Sequence, residues 1–251
     1  MGGAAAGEIA SRLAIDTFLA HVAATGPGEN AEEDVAAVTA RPRAHSTQSK
    51  PQTRLHAAVH AANKAVLDQS ESNSELSGMG TTLVALLHVA GPAKDRRLTP
   101  RAPKPRFVSP PTLFLANVGD SRCYRRRGGE LLQLSTDHSF VEEQVLAGQI
   151  TADQAASSPM RNYITRAVGP QSHVEPDIQS YRPQPGDLYL LASDGLTREL
   201  SNEQIAEILR RLVPTPAPTQ PELQAACAGL IAGANERGGR DNITVLLVAF
   251  V

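Results

Sequence analysis

Apolar positions along this 251-residue chain change period several times, and each change marks an element. Residues 7–24 carry Ile15, Phe18, Leu19 and Val22 at the i, i+3, i+4, i+7 spacing of one helical face. A second helix is predicted over 53–69, with Leu55, Val59, Ala62 and Val66 on one stripe. The period then shortens. "TTLVALLHVA", apolar and β-branched between Gly80 and Gly91, reads as a strand, and His88 within it reads as a satisfied core histidine. "TLFLANVGDSRCYRRRGGELLQLS" reads as two or three strands with "RRGGE" as a hairpin turn. Thr151 with Gln154, and Ser201 with Gln204, form capping-box patterns at two helix starts. The helix after Ser201 carries Ile205, Ile208, Leu209 and Leu212, and Pro214, Pro216 and Pro218 end it. Pro221 suits the first turn of a last helix, with Leu223, Cys227, Leu230 and Ile231 turned inward. "DLYLLAS" is an apolar strand ending at Asp194, and "NITVLLVAFV" reads as a buried closing strand. Strands and helices come in blocks rather than in βαβ alternation. That favours an α+β fold of layered, largely antiparallel sheets.

Two stretches fit no element. Residues 26–52 are polar and punctuated by proline, and read as a loop insertion. Residues 92–111 hold six basic residues, one acid and six prolines, so they form no central strand and read as a solvated insertion. The length suits one large domain over 1–251, or two small ones.

Composition narrows the class. With no tryptophan and 4% aromatic residues, the core must be built from Leu, Val, Ile and Ala. A net charge of -2 gives no global reason to expect nucleic acid or a membrane surface as partner. Two cysteines make no disulfide scaffold and point to a reducing, cytoplasmic setting. No apolar run approaches the ~20 residues of a membrane span, and no secretory signal pattern stands at the start.

The candidate chemistry lies at strand ends. Asp120 ends "TLFLANVGD", Asp194 ends "LYLLASD", and Asp241 precedes "NITVLLV", each beside a glycine. A turn-forming aspartate that caps its own backbone explains any one of them. Three at strand–turn junctions point to a hard divalent cation, which takes carboxylate oxygens and keeps several waters. Other candidates carry less. Asp137 and His138 are adjacent and cannot converge as a catalytic triad does. His56 and His60 stand at i, i+4 on a helix, a spacing that suits a metal, but no acid or cysteine lies nearby in sequence, which favours a surface or packing role. "GMGTT" lacks the dinucleotide fingerprint, and neither cysteine has the surroundings of a nucleophile.

Five motifs in order, "GMGTTLVAL", "NVGDSRCYRRRGGELLQLSTDHS", "NYITRAVG", "GDLYLLASDGLTREL" and "GGRDNITVLLV", resemble the bacterial branch of the metal-dependent protein phosphatase 2C family. The likeness spans the chain apart from the two insertions, and residues 139–169 look like that family's flap segment. It implies two antiparallel sheets packed face to face between outer helices, an α-β-β-α sandwich. It implies two Mn²⁺ or Mg²⁺ ions, and hydrolysis of phosphoserine and phosphothreonine in proteins by a metal-activated water. By the same resemblance Asp194 and Asp241 match core metal ligands, and Asp120 matches the acid that holds a third, weaker metal with Asp194. The implied partners are phosphoproteins, on which the chain opposes Ser/Thr kinases; a monomer is expected, without nucleic acid or membrane as partner. "MGGAAAGEIAS" matches the tail of the family's Asp-Gly-Met-Gly-Gly segment, so the chain is expected to be N-terminally truncated, without that Asp-Gly and the strands before it. The alternative is a non-catalytic regulatory or interaction domain with this fold and an incomplete metal centre.

Overall fold

A computed structural model of the chain describes residues 3–24, 50–90 and 111–251. The insertion at 92–111 therefore lies outside the described residues apart from its last position, as does 26–52 apart from its last three. Those three, 50–52, open a helix instead of closing a loop.

The first helices, α1 (Gly3–Ala24) and α2 (Lys50–Ser72), pack together over a sheet of three antiparallel strands. These are β1 (Leu83–Val89), β2 (Thr112–Val118) and β5 (Asp177–Tyr181), in the order β1-β2-β5. The second sheet has the order β4-β3-β6-β7, built from β3 (Arg122–Arg127), β4 (Glu130–Gln133), β6 (Leu188–Ala192) and β7 (Val245–Ala249). Its outer face is covered by α6 (Asn202–Leu212) and α7 (Gln220–Asn235). The short helices α3 (Phe140–Leu146), α4 (Ala152–Ser157) and α5 (Asp194–Thr197) lie in connections. The layers are helix, sheet, sheet, helix, as the resemblance implies.

Alternation along the strands builds three apolar layers. On β2, Phe114, Ala116 and Val118 face α1 and α2, while Leu113 and Leu115 face the other sheet. On β6, Tyr189 and Leu191 meet them, while Leu188, Leu190 and Ala192 turn to α6 and α7. A central strand is thus buried on both faces, so its sequence is a continuous apolar run. The β3–β4 hairpin turns through Gly128 and Gly129, with φ of +58° and +92°, which matches the twist of the paired strands.

Several expectations need correction. On α1 the buried stripe is Ala6, Ala10, Ala14 and Phe18, while Ile15 and Leu19 are 54% and 55% exposed. A ridge of alanines lets α1 lie close on α2, and that contact decides which face is inward. His88 is exposed, with its ring edge-on to Phe250, because among the described residues β1 is an edge strand with β2 alone beside it. The closing strand β7 is also an edge, half-buried, with Leu246 54% exposed. No helix among the described residues is long and apolar enough to cross a membrane.

Candidate functional site

Strand register brings the three aspartates together. Ala192 pairs with Arg122 on one side and with Val245 on the other, so the three strands share a row at one end of the sheet. Asp120 stands two residues before Arg122, and Asp194 two residues after Ala192. Asp241 stands four residues before Val245. All three leave the sheet at that end, across antiparallel neighbours ~4.8 Å apart.

Local contacts then hold each loop. Gly119 has φ +108°, and a Cβ there would meet the Thr82 side chain at 2.3 Å, so only glycine fits the turn that presents Asp120. Its N–H donates to His138 Nδ1 at 3.1 Å, and its carbonyl accepts from the His138 N–H at 3.0 Å. Asp194 opens α5. The Ser193 hydroxyl before it donates to the Asn242 carbonyl at 3.1 Å and accepts from the Thr244 N–H at 2.9 Å. These bonds tie the Asp194 loop to the Asp241 loop. A Cβ on Gly195 would lie 2.4 Å from the Asn242 carbonyl oxygen, so the two backbones touch where a side chain would separate them.

One cation reaches all three carboxylates. Arg198 is ion-paired with Asp194, lies 3.2 Å from Asp241 through Nη1, and lies 3.7 Å from Asp120 through Nη2. Burial, and then repulsion from Asp194, push the Asp120 carboxyl up to about 6, against the pull of Arg198. Burial also raises Asp194, opposed by Arg198 and reinforced by Asp241. The cluster is short of positive charge even with Arg198 in it. Its donors are hard oxygens, the set that Mg²⁺ and Mn²⁺ favour. Arg198 shows that the space between them takes a cation. Pattern reading missed this residue, although its i, i+4 spacing from Asp194 is the signature of an ion pair.

The cluster opens into a cleft of about 760 Å³. Its walls include Ser139, Val141 and Glu142 at α3, Ala155 on α4, and Arg161 and Asn162, so the 139–169 segment flanks the aspartates. The remaining candidates separate. Asp137 forms an ion pair with Arg122, bonded to its Nε and Nη2, while His138 Nε2 meets Asp177 at 3.2 Å. The neighbours thus point to different partners and form no triad. Burial pushes the Cys123 thiol up to about 12 and raises Cys227, so neither is a ready nucleophile.

Comparison with known proteins agrees with this architecture. The profile of the family described as Protein phosphatase 2C matches residues 1–228. Serine/threonine protein phosphatase PstP of Mycobacterium tuberculosis is 36% identical over 251 residues, all of this chain and 39% of its own length. The chain thus spans about two fifths of that relative. Serine/threonine phosphatase stp of Listeria monocytogenes is 33% identical over 248 residues, 99% of this chain and 81% of its own. The crystal structure of the M. tuberculosis phosphatase PstP/Ppp superposes with a TM-score of 0.73 at 36% identity, covering 100% of this chain and 85% of that one. A structure of the PstP catalytic domain in complex with two manganese ions gives 0.69 at 35% identity, covering 98% and 83%. A profile match over most of the chain, and more than 30% identity to phosphatases with the same sheets and helices, place this chain in the protein phosphatase 2C family.

Proposed function

We propose that the chain hydrolyses phosphoserine and phosphothreonine esters in proteins, with two Mn²⁺ or Mg²⁺ ions, and a weaker third, held at the strand-end aspartates. The observation that carries this reading is the convergence of Asp120, Asp194 and Asp241 on one cation position beside a wide cleft. Asp194 and Asp241 would hold the core ions, and Asp120 with Asp194 would hold the third. Two such ions, when bound, acidify a water to a nucleophile at neutral pH and neutralise charge on the phosphoryl group. The chain's own residues do the rest. Arg198 offsets carboxylate repulsion when no ion is present. Arg161 and Arg240 line the cleft and lend it a field that attracts a phosphate dianion. The α3–α4 segment walls the cleft and meets the protein part of the substrate. No side-chain nucleophile is needed, in keeping with two cysteines held as thiols. The substrates are phosphoproteins that a Ser/Thr kinase supplies, met by a monomer.

A second reading is a regulatory or interaction domain of the same fold, favoured by Arg198 already standing among the carboxylates. Phosphate release from a phosphothreonine peptide, measured with and without Mn²⁺, separates the two. Asp194→Asn and Asp241→Asn are each expected to lower Mn²⁺-dependent turnover about a hundredfold or more, since even residues that only support a metal ligand are worth 10–100-fold. Near wild-type turnover in both variants removes the metal assignment. Peptide binding without any Mn²⁺-dependent turnover selects the second reading.

A further inference from the structure

The i, i+4 pair on α2 has the acidic partner that its own sequence neighbourhood lacks. Glu175, in the segment leading into β5, places both carboxylate oxygens 3.2 Å from His56 Nε2. His60 lies one turn on, with ring centroids of the pair 4.4 Å apart. One ligand atom from each of His56, His60 and Glu175 lies within 4.8 Å of the other two. His173 stacks on His60 at 4.9 Å between centroids and 28° between planes.

The backbone that makes this cluster is held firmly. Asn63, 1% exposed, donates to the Gln171 carbonyl at 2.8 Å and accepts from the Gly169 N–H at 2.7 Å. Those bonds clamp the 169–171 segment to α2 one turn beyond His60. Val174 is buried in the core under α2, so its neighbours His173 and Glu175 are both turned outward, over His60 and His56. The side chains are half-buried or exposed, and they move on a fixed frame.

We propose that His56, His60 and Glu175 form a second metal site, for a borderline divalent transition ion of the Zn²⁺ class, apart from the aspartate cluster. Imidazole nitrogen selects such ions, whereas Mg²⁺ takes oxygen. Two histidines and a carboxylate are a recurrent zinc set, with water in the fourth position. In a tetrahedral site with bonds of about 2.0–2.2 Å, ligand atoms stand roughly 3.3–3.6 Å apart. The His56–Glu175 span of 3.2 Å is already there, and His60 closes the rest by side-chain rotation. Burial, then the neighbouring His56 and His173, hold His60 below the ordinary histidine range. Bound there, the ion staples α2 to the entrance of β5, residues 115 to 119 positions apart in sequence.

The test uses the chain without any histidine tag, in millimolar Mg²⁺, which fills oxygen sites and leaves imidazoles alone. Zn²⁺ is titrated against a chromophoric chelator, with Co²⁺ as a spectroscopic substitute. One Zn²⁺ per chain is expected, with Co²⁺ showing the strong visible bands of a tetrahedral site. Zn²⁺ should also raise the melting temperature. His60→Ala and His56→Ala should each weaken Zn²⁺ binding at least about tenfold and abolish the shift. Glu175→Gln, which keeps the shape and removes the anionic donor, should weaken binding in the same direction, with circular dichroism confirming the fold. Absence of Zn²⁺ binding in the wild-type chain, or unchanged affinity in His60→Ala and Glu175→Gln, overturns the site. Neither result bears on the aspartate cluster, which none of the three substitutions touches.

Discussion

Asp187, just ahead of β6, is 1% exposed and accepts hydrogen bonds from Arg127 Nε at 2.6 Å and Nη2 at 2.7 Å, the Gln184 N–H and the Tyr189 hydroxyl. Burial alone would raise its carboxyl. The bonds from Arg127 and Gln184 outweigh it and hold the group below the ordinary carboxylate range. A folded-state pKa below the unfolded value of about 3.9 gives stability that is complete above that pH and is lost as pH falls through the folded value. Asp187→Asn should therefore lower stability at pH 7 by about 2–3 kcal/mol, below the full effect of splitting a buried pair because Arg127 is partly solvated. It should also flatten the loss of stability below about pH 4, as read by urea unfolding. An unchanged acid slope would show that Asp187 is not the group responsible. At the aspartate cluster the charge balance runs the other way. Arg198→Leu removes the cation that competes with any bound ion, so Mn²⁺ affinity by calorimetry should rise about tenfold while the metal-free protein melts earlier. Weaker Mn²⁺ binding would mean that Arg198 supports the ions rather than standing in for them. Arg198 escaped pattern reading because its role exists only once Asp120, Asp194 and Asp241 meet.

Elements show which signals are local. The capping boxes at Thr151 and Ser201 form as their spacing predicts, with Gln154 and Gln204 bonded back to the cap, because both partners lie within one helical turn. The β5 strand, "DIQSY", has no apolar signature and is a strand only because it pairs with β2. The turn carrying Gly195 also depends on a distant element. Gly195→Ala puts a methyl against the Asn242 carbonyl and must push α5 from the Asp241 loop. Overpacking of this kind costs about 1–3 kcal/mol. Mn²⁺ affinity should fall more than tenfold with it, since Asp194 and Asp241 move apart. Gly7 is the control. It sits within α1 with nothing within 4 Å of an added Cβ, so Gly7→Ala should stabilise the chain by about 0.5–1 kcal/mol and leave Mn²⁺ binding alone. Equal effects of the two substitutions on Mn²⁺ affinity would contradict the role given to the Gly195 contact.

For the molecule as a whole, the two sheets end in edges among the described residues. The edges are β1 and β5 in one sheet, β4 and β7 in the other. On β7, Leu246 pairs in register with Leu191 but is itself 54% exposed, an apolar side chain on an open strand. Open apolar edges template pairing with other chains, and charge on them blunts it. Leu246→Lys should leave stability within about 0.5 kcal/mol, as surface changes do, and lower any association the monomer shows at high concentration in sedimentation experiments. Unchanged association would place the contact elsewhere, with the exposed α1 face of Ile9, Ile15 and Leu19 the next to examine.

By itself the sequence determined the blocks of strand and helix, the helix caps, the Gly128–Gly129 hairpin and the three strand-end aspartates. These rest on spacing of a few residues, which a chain carries wherever it folds. The order of motifs was enough to indicate the family. Only the tertiary structure decided which faces of α1 and β1 are inward, because burial depends on what lies opposite. Only register across β3, β6 and β7 carried Asp120, Asp194 and Asp241 to one point and placed Arg198 among them. And only the packing of Val174 and the Asn63 clamp brought Glu175 to His56, across 119 positions that no local pattern spans.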